Sequence, residues 1–436
     1  MRLFRFLVPV FLVLAVLCPD ARAERVYIQI QDPFLRTIPL ALPGFAAGAD
    51  PRAAEAAREG RGILEEVLAV PRFFQILPEE TYITDLAQGA SARDLDFKDW
   101  TAIGAELLIT GSVDVEGDIL ALELRLFDTY TQRLLAGKRY KAHRTDLRRI
   151  ILRFASEVVQ ALTGTPGVFD TRIAFVSTAT GNKEIFVSDF DGHNPVAVTH
   201  DSVIALSPAW SADGRFMAWS SYKERGPNIH VLDTRTRQGT VIKYTGLNVT
   251  PAWSPKGFVL AACLSKDGNP EIYSLTGTGK VINRLTDNWG IDVSPSWFPD
   301  GKKIAFVSNR SGGPQIYELE LATGEVRRLT FSGKDINAPA VSPNGEYIAY
   351  QGIEDRDFDI FVMRSDGSKP VRLTSGAGNN ESPSWSPDGT LIAFSSTREG
   401  PSRIYVMTAR GTQQRRLLIQ AGEQSEPAWS PNLPDF

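Results

Sequence analysis

The chain has 436 residues, with 47 Lys+Arg against 51 Asp+Glu, a formal net charge of −4, and 43% hydrophobic residues. That length excludes a single small module. The composition excludes a disordered chain, and the mild acidity gives no electrostatic footing for nucleic acid. The 36 glycines and 27 prolines are spread along the chain, which fits many tight turns and not one long linker.

In chain order, the first element is a compartment signal. Arg2 and Arg5 precede the apolar run Phe6 to Leu17, and Ala21-Arg22-Ala23 has the small-residue pattern of a cleavage site. The run is shorter than the roughly 20 residues that span a bilayer, so residues 1–23 are expected to be a secretory signal peptide. Cys18 follows Leu17 where lipid attachment would favour a small residue, which argues against lipidation. Cleavage before Glu24 leaves a mature chain of charge −6 whose only thiol is Cys263, so no intramolecular disulfide can form in an oxidising compartment. Cys263 lies in the run Val259-Leu260-Ala261-Ala262-Cys263, where a buried small hydrophobe is expected.

Helical periodicity marks the next segment. Asp50-Pro51 pairs an N-cap with proline at the first helical position and opens a helix to about Leu68. A short helix is expected over Phe97 to Gly104. A third follows Thr145, where Leu147, Ile150, Ile151, Phe154, Val158 and Leu162 recur at helical spacing before Gly164 and Pro166. Strands are expected at 25–30, 73–77, 106–116, 118–128 and 133–141. Residues 24–164 therefore read as a small α/β domain, and 165–171 as a linker.

Beyond the linker an internal repeat takes over. Pro208-Ala209-Trp210, Pro251-Ala252-Trp253, Pro295-Ser296-Trp297, Pro339-Ala340-Val341, Pro383-Ser384-Trp385 and Pro427-Ala428-Trp429 are spaced by 43, 44, 44, 44 and 44 residues. In phase with them run an Ile-Ala-Phe mark (Ile173, Ile304, Ile348, Ile392), an Ile-aromatic mark (Ile185, Ile272, Ile316, Ile360, Ile404) and a Leu-Thr pair (Leu285, Leu329, Leu373). Four short β-rich runs separated by Asp-Gly, Pro and Gly turns make each unit a four-stranded antiparallel sheet, the size of a propeller blade. The first Ile-Ala-Phe has no P-x-W before it and the last P-x-W has no Ile-Ala-Phe after it. Pairing the 427–431 strand with the 172–177 strand closes a six-bladed β-propeller over 172–436 and removes the exposed edges. The fold class is thus an α/β N-terminal domain followed by an all-β six-bladed propeller. The recurring Trp is expected to pack between blades.

Chemistry is hard to find. The chain lacks the phosphate-loop, H-E-x-x-H, C-x-x-C and G-x-S-x-G patterns, and its four histidines have no ligand spacing. Asp355, Asp357 and Asp359 mimic the start of a calcium loop, but Ile360 stands where that loop needs glycine. No catalytic residue, cofactor or metal is assigned. If P-x-W opens the innermost strand, the residues before it share a channel mouth with the loops between second and third strands. That mouth would carry Asn248, Asp292, Asn337, Asn379, Asn380, Glu381 and Glu426, with Tyr222, Arg225, Arg310 and Phe358. A polar ring with aromatic and arginine anchors suits a protein partner. A six-bladed enzyme with a channel-bound metal is the alternative.

The order signal peptide, α/β domain, then six P-x-W-S-P-D-G…I-A-F units resembles the TolB family, the periplasmic component of the Tol–Pal system of Gram-negative envelopes. The resemblance implies a non-enzymatic, monomeric periplasmic adaptor, held near membranes only through its partners. It implies that the mature start, Glu24, Arg25, Val26, Tyr27, Ile28, Gln29 and Ile30, engages a TolA-like inner-membrane protein. An alternating strand of this kind can add to a partner's sheet edge. It implies too that the propeller mouth, with Leu247, Asn248, Thr250, Asp292, Asn337, Asn379, Asn380, Glu381 and Glu426, engages a Pal-like peptidoglycan-associated lipoprotein. Two departures stand out: the second unit carries apolar Leu247 and Val249 ahead of its proline, and the fourth has Val341 in place of Trp.

Overall fold

A computed structural model describes residues 37–71, 73–83, 95–417 and 421–433. The expected signal peptide and the 25–30 strand, with all seven residues Glu24 to Ile30, lie outside the described residues.

The N-terminal domain contains β1 (Ile38–Ala41), β2 (Ala46–Ala47), α1 (Pro51–Leu68), β3 (Phe74–Ile76), α2 (Phe97–Ala102), β4 (Leu107–Glu116), β5 (Ile119–Asp128), β6 (Arg133–His143) and α3 (Leu147–Thr163). Helix α1 starts where the sequence marks it, with the Asp50 carboxylate accepting the Arg52 N–H at 2.9 Å. Helix α3 ends at Gly164, whose φ of +81° lets its N–H reach the Gln160 carbonyl. The sheet order is β3-β1-β4-β5-β6, with β2 also on β4. Strand β1 pairs in parallel with β3 and β4, and the β4-β5-β6 meander is antiparallel. Helices α1 and α3 cover one face, packing Leu64, Val67, Ile151 and Phe154 against Leu107, Ile109, Leu122 and Leu124. Strands β1 and β2 were not expected from the sequence. Both are short, and Pro39 inside β1 removes a ladder donor, which ordinarily argues against a strand in mid-sheet.

Six four-stranded sheets follow. Blade one runs Ala205–Trp210, Phe216–Ser221, Asn228–Asp233 and Gly239–Ile242 from the axis outward. The inner strands of blades two to five are Asn248–Trp253, Asp292–Trp297, Lys334–Val341 and Asn380–Trp385. Blade six is built from both parts of the repeat, with Gln424–Trp429 innermost beside Arg172–Ser177, Glu184–Asp189 and Val196–Ala197. Trp429 pairs with Ile173 and Gln424 with Ser177, so the ring is closed as its repeat marks require. The middle strands are buried on both faces; every residue of Leu391–Ser396 is buried.

Two expectations about the blade need correction. The P-x-W triplet finishes the innermost strand instead of opening it, as Trp210, Trp253, Trp297, Trp385 and Trp429 are all last residues. Proline is tolerated there because the strand bulges: between the pairs Val249–Cys263 and Ala252–Ala261, the two residues Thr250 and Pro251 stand opposite the single residue Ala262. The Leu-Thr pair is not the fourth strand but follows it; in blade three the outer strand is Val326–Arg328 and Leu329-Thr330 come after. The Trp side chains do pack between blades. The indole N–H of Trp297 donates to the Ala252 carbonyl of the preceding blade at 3.1 Å, Trp385 to Ala340 at 2.9 Å, and Trp210 to Ala428 at 3.2 Å.

The α/β domain sits against the end of the propeller where inner strands finish. One continuous core joins Phe74, Val70 and Phe154 to Phe169, Leu391, Val406 and Trp429. Arg148 of α3 adds polar contacts across the junction, pairing with Asp191 and lying 3.5 Å from Asp189. The loops that precede the inner strands, and those joining second to third strands, therefore open at the other end.

Candidate binding face

At the open end the first layer is structural. Glu184, Glu271 and Gln315 begin the third strand in three blades and Asp359 is second in a fourth, and each side chain is clasped by the Thr of the Leu-Thr pair or its counterpart. Thr286 Oγ1 donates to Glu271 at 2.5 Å, Thr330 to Gln315 at 2.7 Å and Thr374 to Asp359 at 2.6 Å, and Thr199 bonds Glu184 likewise. The same hydroxyls accept the N–H of Ile185, Ile272, Ile316 and Ile360, each at 2.9 Å. The carboxylates then hold the loops that lead to the next blade: Glu271 accepts from the Asn288 N–H at 2.8 Å and Glu184 from the Ser202 N–H at 2.7 Å. This is the role of the fourth repeat mark. Buried polar atoms are matched, and the connection between blades is fixed.

Three of the sequence-predicted mouth residues belong to this layer. Asn248, Asp292 and Asn380 open their inner strands and are 0% exposed. Asn248 accepts the Tyr244 N–H at 2.9 Å and donates to the carbonyls of Tyr244 and Gly246. Asn380 donates to Asp359 at 3.1 Å and accepts from Ser396 and Arg398. Asp292 pairs with Arg310 at 2.6 Å, and burial still pushes its carboxyl up. The Arg310 guanidinium in turn lies 5.4 Å from the Phe306 ring and 5.1 Å from that of Tyr317. Asn337 and Asn379 are half-buried, Asn337 bonding the Asp335 carbonyl and Asn379 accepting the Phe358 N–H. These residues shape loops from below the surface.

Thr250 and Glu426 face the axis instead. They share a cavity of about 200 Å³ with Ser207, Ser294, Ala338, Ser382 and the six prolines that follow these positions. Each residue before the proline has φ between +49° and +55°, a left-handed conformation unusual without glycine. Side chains of neighbouring strands secure it: Glu426 accepts the Ser207 N–H at 2.6 Å, and Gln351 that of Ser382 at 2.7 Å. Burial pushes the Glu426 carboxyl up despite the two Ser207 hydrogen bonds. The carboxyl of the neighbouring Glu381 is also pushed up, by burial first and then by the Glu426 charge, while its backbone carbonyl accepts from Ser395 Oγ at 3.2 Å. No group of three or more His, Cys, Asp or Glu able to hold a metal occurs among the described residues.

The exposed loops of this face carry large apolar side chains among charged ones such as Lys223, Asp287 and Asp355. Leu247, 41% exposed, lies in the loop to blade two, and Trp289, 74% exposed, and Ile291 lie in the loop to blade three. Phe331, 76% exposed, lies in the loop to blade four, with Arg328 5.0 Å from its ring centroid. With Ile204 and Tyr222 of blade one they make an arc over four adjacent blades. Large apolar side chains placed in contiguous loops, and not scattered singly, mark an interaction surface. Sequence reasoning picked out Leu247 and Tyr222 but missed Trp289 and Phe331. The signal was there: each is an aromatic among turn-forming residues, in Asp287-Asn288-Trp289-Gly290 and Thr330-Phe331-Ser332-Gly333.

An α/β domain seated on one end of a closed six-bladed propeller, with an apolar arc on the other, defines a two-domain propeller scaffold. Residues 159–433 match the model of the TolB beta propeller domain and residues 26–135 that of the TolB amino-terminal domain. The chain belongs to the TolB family. It is 48% identical over 285 residues to a Tol-Pal system protein TolB of Desulfosudis oleivorans, covering 64% of this chain and 65% of the relative. It is 41% identical over 217 residues to a protein TolB homolog of Chlorobaculum tepidum, covering 50% and 49%. In both cases the match spans less than two thirds of the relative's length. The crystal structure of TolB from Acinetobacter baumannii superposes with a TM-score of 0.77 at 28% identity, over 91% of this chain and 97% of that one.

Proposed function

We propose that this chain is a periplasmic, non-enzymatic adaptor of the Tol–Pal system, joining a Pal-like outer-membrane lipoprotein to a TolA-like inner-membrane protein for envelope integrity and constriction at division. The propeller's open end takes the Pal-like partner, and the mature start, residues 24–30, takes the TolA-like one. Membership of the TolB family and the names of its relatives support the system. The observation that carries the binding face is the exposed arc of Leu247, Trp289, Ile291 and Phe331 at the end that the α/β domain leaves open. Aromatic anchors of this kind carry most of the energy of a protein interface. Below them, Glu426 and Thr250 line the channel, Asn248, Asp292 and Asn337 belong to the loops that present the arc, and Asn379, Asn380 and Glu381 belong to the neighbouring blade five.

Calorimetric titration of the mature protein with the soluble domain of the same organism's Pal-like lipoprotein tests this. Trp289→Ala and Phe331→Ala are each expected to cost about 2 kcal/mol of binding, roughly 30-fold in Kd, with thermal unfolding unchanged. Unaltered affinity in both variants would remove the arc from the site. A deletion of residues 24–30 is expected to abolish binding to the TolA-like domain while leaving the lipoprotein titration intact.

A further inference from the structure

The adaptor role leaves the cavities at the domain junction unused. Between the first turns of α3 and the seam of blades six and one lies a cavity of about 360 Å³. It lies at a domain junction, and pockets for small ligands run from about 300 to 1,000 Å³ and favour such junctions. Its floor is apolar, built from Phe169, Trp210, Met217 and Leu232. The Trp210 ring is held in place by its N–H bond to the Ala428 carbonyl, leaving a fixed, half-exposed aromatic surface.

The rim carries Arg148, Arg149, Arg172 and Arg237 with Asp170 and Asp189; Arg148 is paired with Asp191, and Arg149 with Asp146 at 3.2 Å. Asp189 is occupied by Arg148 at 3.5 Å and by the Asn194 amide at 2.8 Å. Burial pushes the Asp170 carboxyl up, toward its neutral form. Arg237 has no side-chain hydrogen bond or ion pair among the described residues, and it stands at the edge of the floor. A fixed apolar floor beside an uncompensated guanidinium selects a ligand with an apolar body and one negative end.

We propose that this interdomain cavity binds a small amphipathic carboxylate, its chain against Trp210 and Met217 and its charged end on Arg237. The mature protein is titrated with decanoate below its aggregation concentration, followed by calorimetry and tryptophan fluorescence. Decanol and decyltrimethylammonium serve as neutral and cationic probes of matched chain. One-to-one saturable decanoate binding is expected, with each control and the Arg237→Glu variant weaker by at least about tenfold. Arg237→Glu is at the surface, so its unfolding temperature stays that of the parent. Met217→Trp, which fills the floor, is expected to abolish binding. The bound carboxylate should also raise the unfolding temperature of the parent protein and not that of Arg237→Glu. Absence of saturable decanoate binding, equal binding of the cationic or neutral probe, or undiminished affinity in Arg237→Glu would each overturn the proposal.

Discussion

Glu381, on the inner strand of blade five, shows how a single residue sets a pH response. Its carboxyl is raised by burial and by Glu426, so the charged form is disfavoured in the folded protein relative to the unfolded chain. The stabilising contribution is full at pH below the ordinary carboxylate range and is lost as pH rises through the raised value. Glu381→Gln removes that loss. It is expected to unfold at a higher temperature than the parent at pH 7, with the difference vanishing near about pH 4. Calorimetric scans at both pH values measure this, and a variant less stable at pH 7 would refute it. Residues of this kind were legible as polar and repeated, but their depth was not. Asn248, Asp292 and Asn380 stand three positions before the repeat's proline, two before the residues that line the axis, and all three are buried and hydrogen-bonded. A sequence shows which side chain follows which turn, and burial depends on where the neighbouring blade's side chains lie.

At the scale of elements, the number and type of strands were legible in the repeat, but the places of P-x-W in the inner strand and of Leu-Thr beside the outer one were not. Proline and tryptophan two residues apart look like the opening of a strand after a turn. The bulge places them at its end, because a residue without an N–H can sit inside a sheet only where the ladder is interrupted. The α/β domain divides in the same way: α1 and α3 carry caps and long apolar periods, whereas β1 and β2 are too short to show any period. The inter-blade Trp gives the element-level test. Trp385 is 8% exposed and bonds Ala340 across the blade boundary. Trp385→Ala is expected to cost ~3–5 kcal/mol in denaturant unfolding. Trp385→Phe keeps most of the packing and loses the hydrogen bond, an expected further effect of about 1 kcal/mol. Equal losses in the two variants would mean that the indole N–H, and not the ring, holds the blades together.

For the whole molecule, the closing blade decides whether there is a ring at all. Strand Arg172–Ser177 receives its inner neighbour only from Gln424–Trp429, and Trp429 is anchored by its indole N–H to Thr171 Oγ1 at 2.7 Å. A chain stopped after residue 423 leaves that strand edge unpaired next to the interdomain core. It is expected to form soluble aggregates detectable by light scattering and to lose the single cooperative unfolding transition. A monodisperse, fully cooperative truncated protein would show that closure is dispensable. The closure and the blade count were legible because the repeat has a remainder at each end. The seating of the α/β domain was not, since no repeated mark records which loops it covers.

That same strand also sets an order in time. Thr171 and Trp429 meet across 258 positions of sequence, so blade six stays incomplete while blades one to five, each drawn from one contiguous stretch, are already able to form. Joining such distant segments is the slow, entropically costly kind of step. The α/β domain rests on blades five and six, and its junction core includes Trp429 itself. Trp429 thus belongs both to the strand that closes the ring and to the core that joins the domains, so closure of the ring strengthens the seat of the α/β domain.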